Sequence, residues 1–412
     1  MNVLFLTLVS FSSLKERNIY SDLLREFVRN GHKIFVISPV EKRYCEKTHV
    51  VYEDNARILR LRIGNTQKTN IIEKGISTVM IEPSYKAAIK NYFSDIRFDL
   101  VLYSTPPITL VSAIEYVKKR DGAESYLLLK DIYPQNAVDI GLLNKHGIKG
   151  VLYKYFRRKE KRLYAISDRI GCMSPANVRY VIEHNPEINP KRVEECPNSI
   201  EVIDKSVNKE ARDIIRTRYG IPLNKMVYVY GGNLGKPQGI PFLIQCLRMC
   251  ADIEDVFFLI VGDGTEFWRL QTYVESSKQT NLKLMKHLPK EDYDTLVGAC
   301  DVGLIFLDHR FTIPNFPSRI LAYMQAKLPV LAVTDPFTDV RRAIEEGDFG
   351  WWCESNSVDA FVEKVKSIMN QDCKTKGQKS WAYINRMFSV SDAYKVFINK
   401  RVHLGDTDER DN

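Results

Sequence analysis

At 412 residues the chain is longer than one compact core of ordinary size organises, so two domains are expected. With 44% hydrophobic and 27% charged residues, the composition is that of a soluble globular protein. A net charge of +9 suits an anionic ligand or an anionic membrane surface and is too diffuse to argue for nucleic acid.

The opening run MNVLFLTLV lacks a basic leader and a cleavage site and is too short to span a bilayer. It reads as the first buried strand, Val3 to Leu8. A helix is expected over Asn18 to Arg29, ended by Asn30-Gly31 in the manner of a C′ glycine, and strand KIFVIS follows. Strand, helix, strand implies a right-handed parallel crossover. Further buried strands are FDLVLYS (Phe98 to Ser104) and SYLLLKD (Ser125 to Asp131), with a helix over Ile108 to Lys119 between them.

The basic segment VLYKYFRRKEKRLYAISDRIGCMS reads as a helix entering a short strand, with cations set between apolar positions of helical spacing. After the turn at Cys196-Pro197-Asn198-Ser199, a helix over Lys209 to Tyr219 leads to a second set of buried strands: MVYVYGG, VFFLIVGDG, LKLMKHL, DVGLIFL and LPVLAV. Short apolar runs alternating with helices mark a doubly wound parallel sheet. Two such α/β domains are therefore expected, residues 1–199 and 200–379, with a cleft at the carboxyl ends of their strands. Residues 380–412 are read as one or two amphipathic helices and a polar, fraying tail that includes Asp406 and Asp408.

Ligands of open α/β sheets bind in loops that follow strands. Gly231, Gly232 and Gly235 let backbone N–H groups and a helix N-terminus approach an anion. Lys236 adds charge there, and Asn233 and Gln238 offer amide donors. A tight structural turn accounts for these glycines equally well. Gly262-Asp263-Gly264 follows the next strand and by itself reads as a turn. In TIPNFPSRILAYMQAKLPV, Asn315 precedes Ser318, a candidate N-cap, and Arg319 occupies a first helical turn, where the helix dipole disfavours a cation. A bound anion removes that conflict, and so does a partner carboxylate. Asp131 ends a central strand, placed either as a base or hydroxyl ligand or as an N-cap.

The eight cysteines form no C-x-x-C pair and no cluster with His at zinc spacing. Most lie in apolar runs such as GACDVGLIF, as buried reduced thiols do, which favours the cytoplasm. No histidine stands in a catalytic arrangement, His32 reading as structural, and no acidic pair after a strand suggests a metal.

In this order, these segments resemble the retaining glycosyltransferases of family 4, of GT-B fold, in the branch that builds capsule, O-antigen and other surface polysaccharides. The resemblance covers nearly the whole chain. Asn30-Gly31-His32 is similar to the family's R-G-H turn, STPP followed by KDIYP to its sPP…D-L-W/Y-P pattern, and CPNSIEV to its P-N-G-V-D junction. GGNLGKPQGI, VGDGTE and PSRILAYMQAKLPV resemble three donor-domain signatures.

The resemblance implies two facing Rossmann-like domains, with a nucleotide-diphosphate sugar, UDP-linked by preference, held by the second. Gly232, Asn233, Gly235, Lys236, Gln238, Gly262, Asp263, Asn315, Ser318 and Arg319 would hold the donor, with Lys286 and His287 beside the base. Asp131 would face the acceptor hydroxyl, and Arg319 would stabilise the leaving diphosphate. No metal and no cofactor other than the nucleotide sugar is implied, and the acceptor would be a polyprenyl-diphosphate-linked glycan. The basic helix Lys154 to Arg162 would rest against an anionic inner membrane.

The chain departs from the pattern in places. Asn233 and Gln238 replace the usual Arg and Lys of the glycine loop. Ala322 replaces a ribose-binding Glu, Pro314 stands near its partner Glu, and Lys327 replaces a Gly. Those losses imply a backbone or water-mediated ribose contact or a weakened enzyme. They also keep open a non-catalytic sugar-nucleotide-binding protein and a sugar-nucleotide epimerase, the latter disfavoured by the KDIYP and PSR segments.

Overall fold

The computed structural model describes residues 1–66 and 71–405, so the polar tail with Asp406 and Asp408 lies outside the described residues. The chain divides into two compact units, Met1–Glu201 with the chain from Val390, and Val202–Ser389.

Among the described residues the first unit holds an eight-stranded sheet. Its strands are β1 (Asn2–Leu6), β2 (Lys33–Glu41), β3 (His49–Glu53), β4 (Ala56–Ile63), β5 (Leu100–Ser104), β6 (Glu124–Leu129), β7 (Arg169–Cys172) and β8 (Val193–Glu195). They run in the order β3-β4-β2-β1-β5-β6-β7-β8. All pairs are parallel except β3–β4. Sequence reading passes over that hairpin, although Asp54-Asn55 between two apolar runs is its signal. Asn55 turns the chain at φ 55°, in the left-handed region where Asn is tolerated.

The helix Ile19–Arg29 forms as expected. The Asn18 side chain accepts from the N–H groups of Tyr20 and Ser21, and the helix is released at Asn30 by Gly31, whose φ is 78°. It buries Leu23, Leu24 and Phe27 over Val3, Phe5, Tyr126 and Leu128.

The second unit carries β9 (Met226–Asn233), β10 (Val256–Asp263), β11 (Leu282–Met285), β12 (Val302–Phe306), β13 (Val330–Thr334) and β14 (Gly350–Glu354). These are all parallel, in the order β11-β10-β9-β12-β13-β14. β9, β12 and β13 are buried on both faces through their apolar stretches, which is why they read as continuous apolar runs. β14, GWWCE, is missed by that criterion. Its Gly350 lies so close to β13 that a Cβ would fall 2.1 Å from the Val330 carbonyl oxygen.

The return to the first unit comes later than residue 380. The helix Cys373–Met387 stays with the second unit, because Gly377 packs against the Lys327 carbonyl and Tyr383 against Phe349. The helix Val390–Gly405 belongs to the first. Its Tyr394 and Phe397 rings meet Phe27, and Arg169 donates to the Val396 and Phe397 carbonyls at 2.5 and 3.2 Å. At the crossing, Val390 N–H donates to the Ile200 carbonyl. The Glu201 carboxylate is held by Arg17 at 2.9 Å, Arg25 at 3.1 Å and Arg29.

Candidate functional site

Counted along the chain, the second sheet runs 3-2-1-4-5-6, and its order reverses between β9 and β12. Ligands of such sheets sit at that switch point, beyond the strands' carboxyl ends. The glycine turn after β9 is built for close approach. Gly232 adopts φ 110°, which a side chain rarely allows. A Cβ on Gly262 would fall 2.0 Å from the Gly232 carbonyl oxygen, and one on Gly231 would fall 1.7 Å from the Tyr293 hydroxyl. The glycine-bearing ends of β9 and β10, paired Gly232 with Gly262, therefore nest against each other without side chains.

The two amides expected to donate outward are turned inward. The Gln238 carbonyl accepts from the Asn233 Nδ2 and from the Gly235 N–H, both at 3.1 Å. Gln238 is buried and shapes the turn, while Asn233 stays exposed at its rim. Lys236 is exposed in the short 3-10 turn Lys236–Gln238 that leads into the helix Ile240–Met249.

Arg319 lies beneath this turn. A Cβ on Gly232 would come within 3.9 Å of its Cζ and Nη2, and its guanidinium sits 4.4 Å from the centre of the Tyr230 ring. It makes no ion pair among the described residues, and its Nη1 is sealed from solvent with no hydrogen-bond partner. Burial works against its charge, but Tyr230 and Tyr323 beside it outweigh that and hold its pKa above the ordinary value. The alternative of a partner carboxylate is thus not what the structure contains.

The helix that follows is Ile320–Gln325, with Arg319 itself in the N-cap position and no side-chain cap. The expectation of Ser318 as N-cap is corrected. Ser318 is exposed one residue earlier, and its backbone carbonyl accepts from Leu321 N–H at 3.1 Å. Six helical residues carry little dipole, so the positive charge here is the guanidinium's own. Asn315 is half-buried in the same loop. Its backbone carbonyl accepts from the Thr338 hydroxyl, and its Nδ2 is buried with no partner.

Sequence reasoning missed the three tyrosines that enclose Arg319. Tyr230 donates its hydroxyl to the Asn233 carbonyl at 2.8 Å. Tyr323 accepts from Gly231 N–H at 3.2 Å and donates to the Leu304 carbonyl at 3.0 Å, pinning β9 to β12 at the switch point. Tyr293 fills the space that a Gly231 side chain would need. The repeat Tyr228-x-Tyr230 before the glycines was the available signal. It reads as ordinary strand packing, since tyrosine is common in buried strands.

Gly262 is buried and Asp263 exposed at the end of β10, where the Asp263 carboxylate accepts from Gly264 N–H at 2.8 Å. The β10–β11 register pairs Val261 with Met285, which sets the exposed Lys286 and His287 next to Gly262 and Asp263 at the same sheet edge.

In the first unit, Asp131 follows β6 with its backbone N–H on the Thr105 hydroxyl at 3.2 Å. It is no N-cap: the helix Gln135–Asp139 begins from Pro134, and the Asp131 carboxylate instead accepts from Asn136 Nδ2 at 2.6 Å. Burial, only partly offset by Asn136, pushes its pKa up to about 6, in the range that suits proton exchange near neutral pH.

The basic segment forms the helix Gly147–Ile166. Its cations are more engaged than expected: Arg157 pairs with Glu160, Lys159 with Glu82, Lys161 with Glu187 and Arg162 with Glu115. Its first turns instead expose an apolar face, Ile148 at 92% and Val151 at 71%, continued by Leu152 and Tyr155. Lys149 and Lys154 stand beside them without ion pairs among the described residues. No helix among the described residues is long and apolar enough to cross a membrane.

Residues 211–386 match the family model described as Glycosyl transferases group 1. The chain is 25% identical over 77% of its length, and 77% of the relative's, to "Probable glycosyltransferase WbjE" of Pseudomonas aeruginosa. It is 22% identical, over 62% of this chain and 70% of the relative, to an Escherichia coli UDP-Gal:alpha-D-GlcNAc-diphosphoundecaprenol alpha-1,3-galactosyltransferase. Among solved structures, sucrose-phosphate synthase of Thermosynechococcus elongatus superposes with a TM-score of 0.77 at 13% identity, over 99% of this chain and all of that one. WaaG, a glycosyltransferase of lipopolysaccharide biosynthesis, gives 0.66 at 15% over 96% and 99%. Anabaena HepE in complex with UDP gives 0.67 at 14% over 98% and 100%. These likenesses identify the fold as GT-B.

Proposed function

We propose, from the group 1 glycosyltransferase domain that this chain carries in residues 211–386, a transfer of a hexose or N-acetylated sugar from a UDP-sugar to a polyprenyl-diphosphate-linked glycan, with retention. The protein is a glycosyltransferase of bacterial surface polysaccharide synthesis. The donor and acceptor classes are supported by the relative that uses UDP-Gal on a diphosphoundecaprenol-linked sugar and by the HepE complex with UDP.

One observation carries the assignment of the donor site. A half-buried guanidinium with no carboxylate partner among the described residues lies under a side-chain-free turn at the sheet's switch point. A diphosphate above that turn would meet Arg319 from below and Lys236 from the rim, and the charge that develops on the leaving UDP would be stabilised there without a metal. Lys286 and His287 are assigned to the base, and Asn315 to a donor hydroxyl through its unpartnered Nδ2. Asp131 is assigned to the acceptor hydroxyl.

The test is release of UDP from UDP-sugars with a polyprenyl-diphosphate acceptor, with EDTA present. Arg319→Ala is expected to raise the UDP Kd by about 10- to 100-fold, the worth of one or two charge-assisted hydrogen bonds. Unchanged UDP binding in that variant would remove the phosphate site from Arg319. The anomeric configuration of the product, read by NMR, tests retention. Conversion of the UDP-sugar with no acceptor would favour an epimerase instead.

Membrane contact is part of the same proposal. The apolar first turns of the helix Gly147–Ile166, flanked by Lys149 and Lys154, suit an anionic bilayer on which a lipid-linked acceptor resides.

A further inference from the structure

Asp131 is held at both its backbone and its side chain. The Thr105 hydroxyl accepts from the backbone N–H of Lys130 at 3.0 Å and from that of Asp131 at 3.2 Å, fixing the chain as it leaves β6. The Asp131 carboxylate takes Asn136 Nδ2 at 2.6 Å, a short, charge-assisted bond. It has no ion pair and no other side-chain partner among the described residues. The torsion that turns a carboxylate is soft, so this one bond decides its direction.

Asn136 is itself placed for the contact. Its backbone N–H donates to the Ile132 carbonyl at 3.0 Å, in the turn that opens the short helix Gln135–Asp139. Its Nδ2 goes to Asp131, yet its Oδ1 is buried with no partner. A buried carbonyl oxygen without a donor costs stability. An apolar residue of the same size would fill the position without that cost, so packing does not account for the amide.

Other groups around Asp131 do not take over this role. Glu160, on the helix Gly147–Ile166, is engaged by Arg157 at 2.6 Å and by the Tyr164 hydroxyl at 2.8 Å. Burial, with Asp131 adding to it, pushes the Tyr133 pKa up to about 12, so that ring is neutral at pH 7. Lys130 faces the other side of the alternating row and donates to the Cys196 carbonyl at 3.5 Å. Burial is the main cause of the raised Asp131 pKa; Asn136 works against it, and Glu160 adds a smaller push upward.

We infer that Asn136 is a positioning residue of the first unit, whose amide sets the direction in which the Asp131 carboxylate meets an acceptor hydroxyl. The inference rests on the assignment of Asp131 to that hydroxyl in the function proposed above.

Asn136→Leu removes the donor and the buried acceptor together and keeps the volume; Asn136→Ala serves as a second variant. One measurement needs no substrate. In the full chain labelled with carbon-13 aspartate, the Asp131 carboxyl resonance, assigned by its loss in Asp131→Asn, is expected to titrate at about 6. Its midpoint is expected to rise by about one unit in both Asn136 variants, because a hydrogen bond to the charged form is lost. An unmoved midpoint overturns the inference. The other measurement is turnover at pH 8.5, where the carboxylate is ionised with or without Asn136. There kcat is expected to fall about tenfold through lost orientation, with the UDP Kd unchanged. A wild-type kcat at pH 8.5 would leave Asn136 tuning charge alone and would also overturn the positioning role. Wild-type turnover in Asp131→Asn, beside a shifted midpoint in the Asn136 variants, would refute the role assigned to Asp131 and not its hold by Asn136.

Discussion

Arg319 and Asp131 show how far single residues could be read in advance. Arg319 was legible as a cation in an electrostatically poor place, because sequence alone puts it at a helix start. What holds it there was not legible, since Tyr230, Tyr293 and Tyr323 come from a strand and two separate helices and meet only in the folded sheet. Asn233 and Gln238 were legible as polar loop residues, but their mutual hydrogen bond depends on the turn geometry and hid their inward role. Asp131 makes a pH prediction. Its folded pKa of about 6 lies above the ordinary 3.8. The stability it contributes is therefore full below about pH 4 and is lost as pH rises through about 6. Asp131→Asn is expected to raise the melting temperature at pH 7.5 and leave it unchanged at pH 3.5. The upper bound at neutral pH is about 3 kcal/mol, reduced by the residue's partial exposure. The same variant is expected to abolish the acidic limb of the turnover–pH profile. An unchanged limb near pH 6 would assign that proton to another group.

In the second unit β9, β10, β12 and β13 were legible because each is a short apolar run buried on both faces, whereas β14 and the β3–β4 hairpin lie towards the sheet edges and carry weaker patterns. The glycine turns were legible as turns, and the structure adds which neighbour forbids a side chain. Gly262→Ala is expected to cost about 2–4 kcal/mol, because its Cβ would enter the Gly232 carbonyl and backbone must move. A urea midpoint equal to wild type would show that the two strand ends do not nest as described. A substitution the resemblance left unexplained is also clarified. Lys327, where the resemblance implies Gly, adopts φ 54°, with its ammonium on Asp204 at 2.6 Å and over the Trp381 ring. The backbone form that glycine serves is retained, with a lysine in it. The helix Gly147–Ile166 was legible as basic and amphipathic, but its exposed apolar turns precede the cations that drew attention. Ile148→Asp with Val151→Asp is expected to reduce cosedimentation with phosphatidylglycerol vesicles by about tenfold or more, from the lost apolar insertion. Equal binding would move the contact elsewhere.

The molecule as a whole was legible as two doubly wound units, with the first boundary two residues early and the return to the first unit expected from residue 380 but found at Val390. Amphipathic helices near residue 380 look alike in sequence, and only packing decides that one stays with the second sheet and the next leaves it. The helix Val390–Gly405 then has a consequence for how the protein comes into being. The second unit is one uninterrupted stretch, Val202–Ser389, while the first lacks a wall of its core until Tyr394 and Phe397 arrive. During synthesis at about 5–20 residues per second, roughly 10–40 s separate Glu201 from Phe397. The usual order, in which the N-terminal domain finishes first, is thereby reversed. The four tryptophans, Trp268, Trp351, Trp352 and Trp381, all lie in the second unit and report on it alone. A chain ended after Ser389 is expected to keep their cooperative urea transition while limited proteolysis cuts within residues 1–201; loss of the tryptophan transition would refute that independence. A ribosome making this protein holds an unfinished first unit, with Phe27 uncovered, beside a second unit able to fold without it.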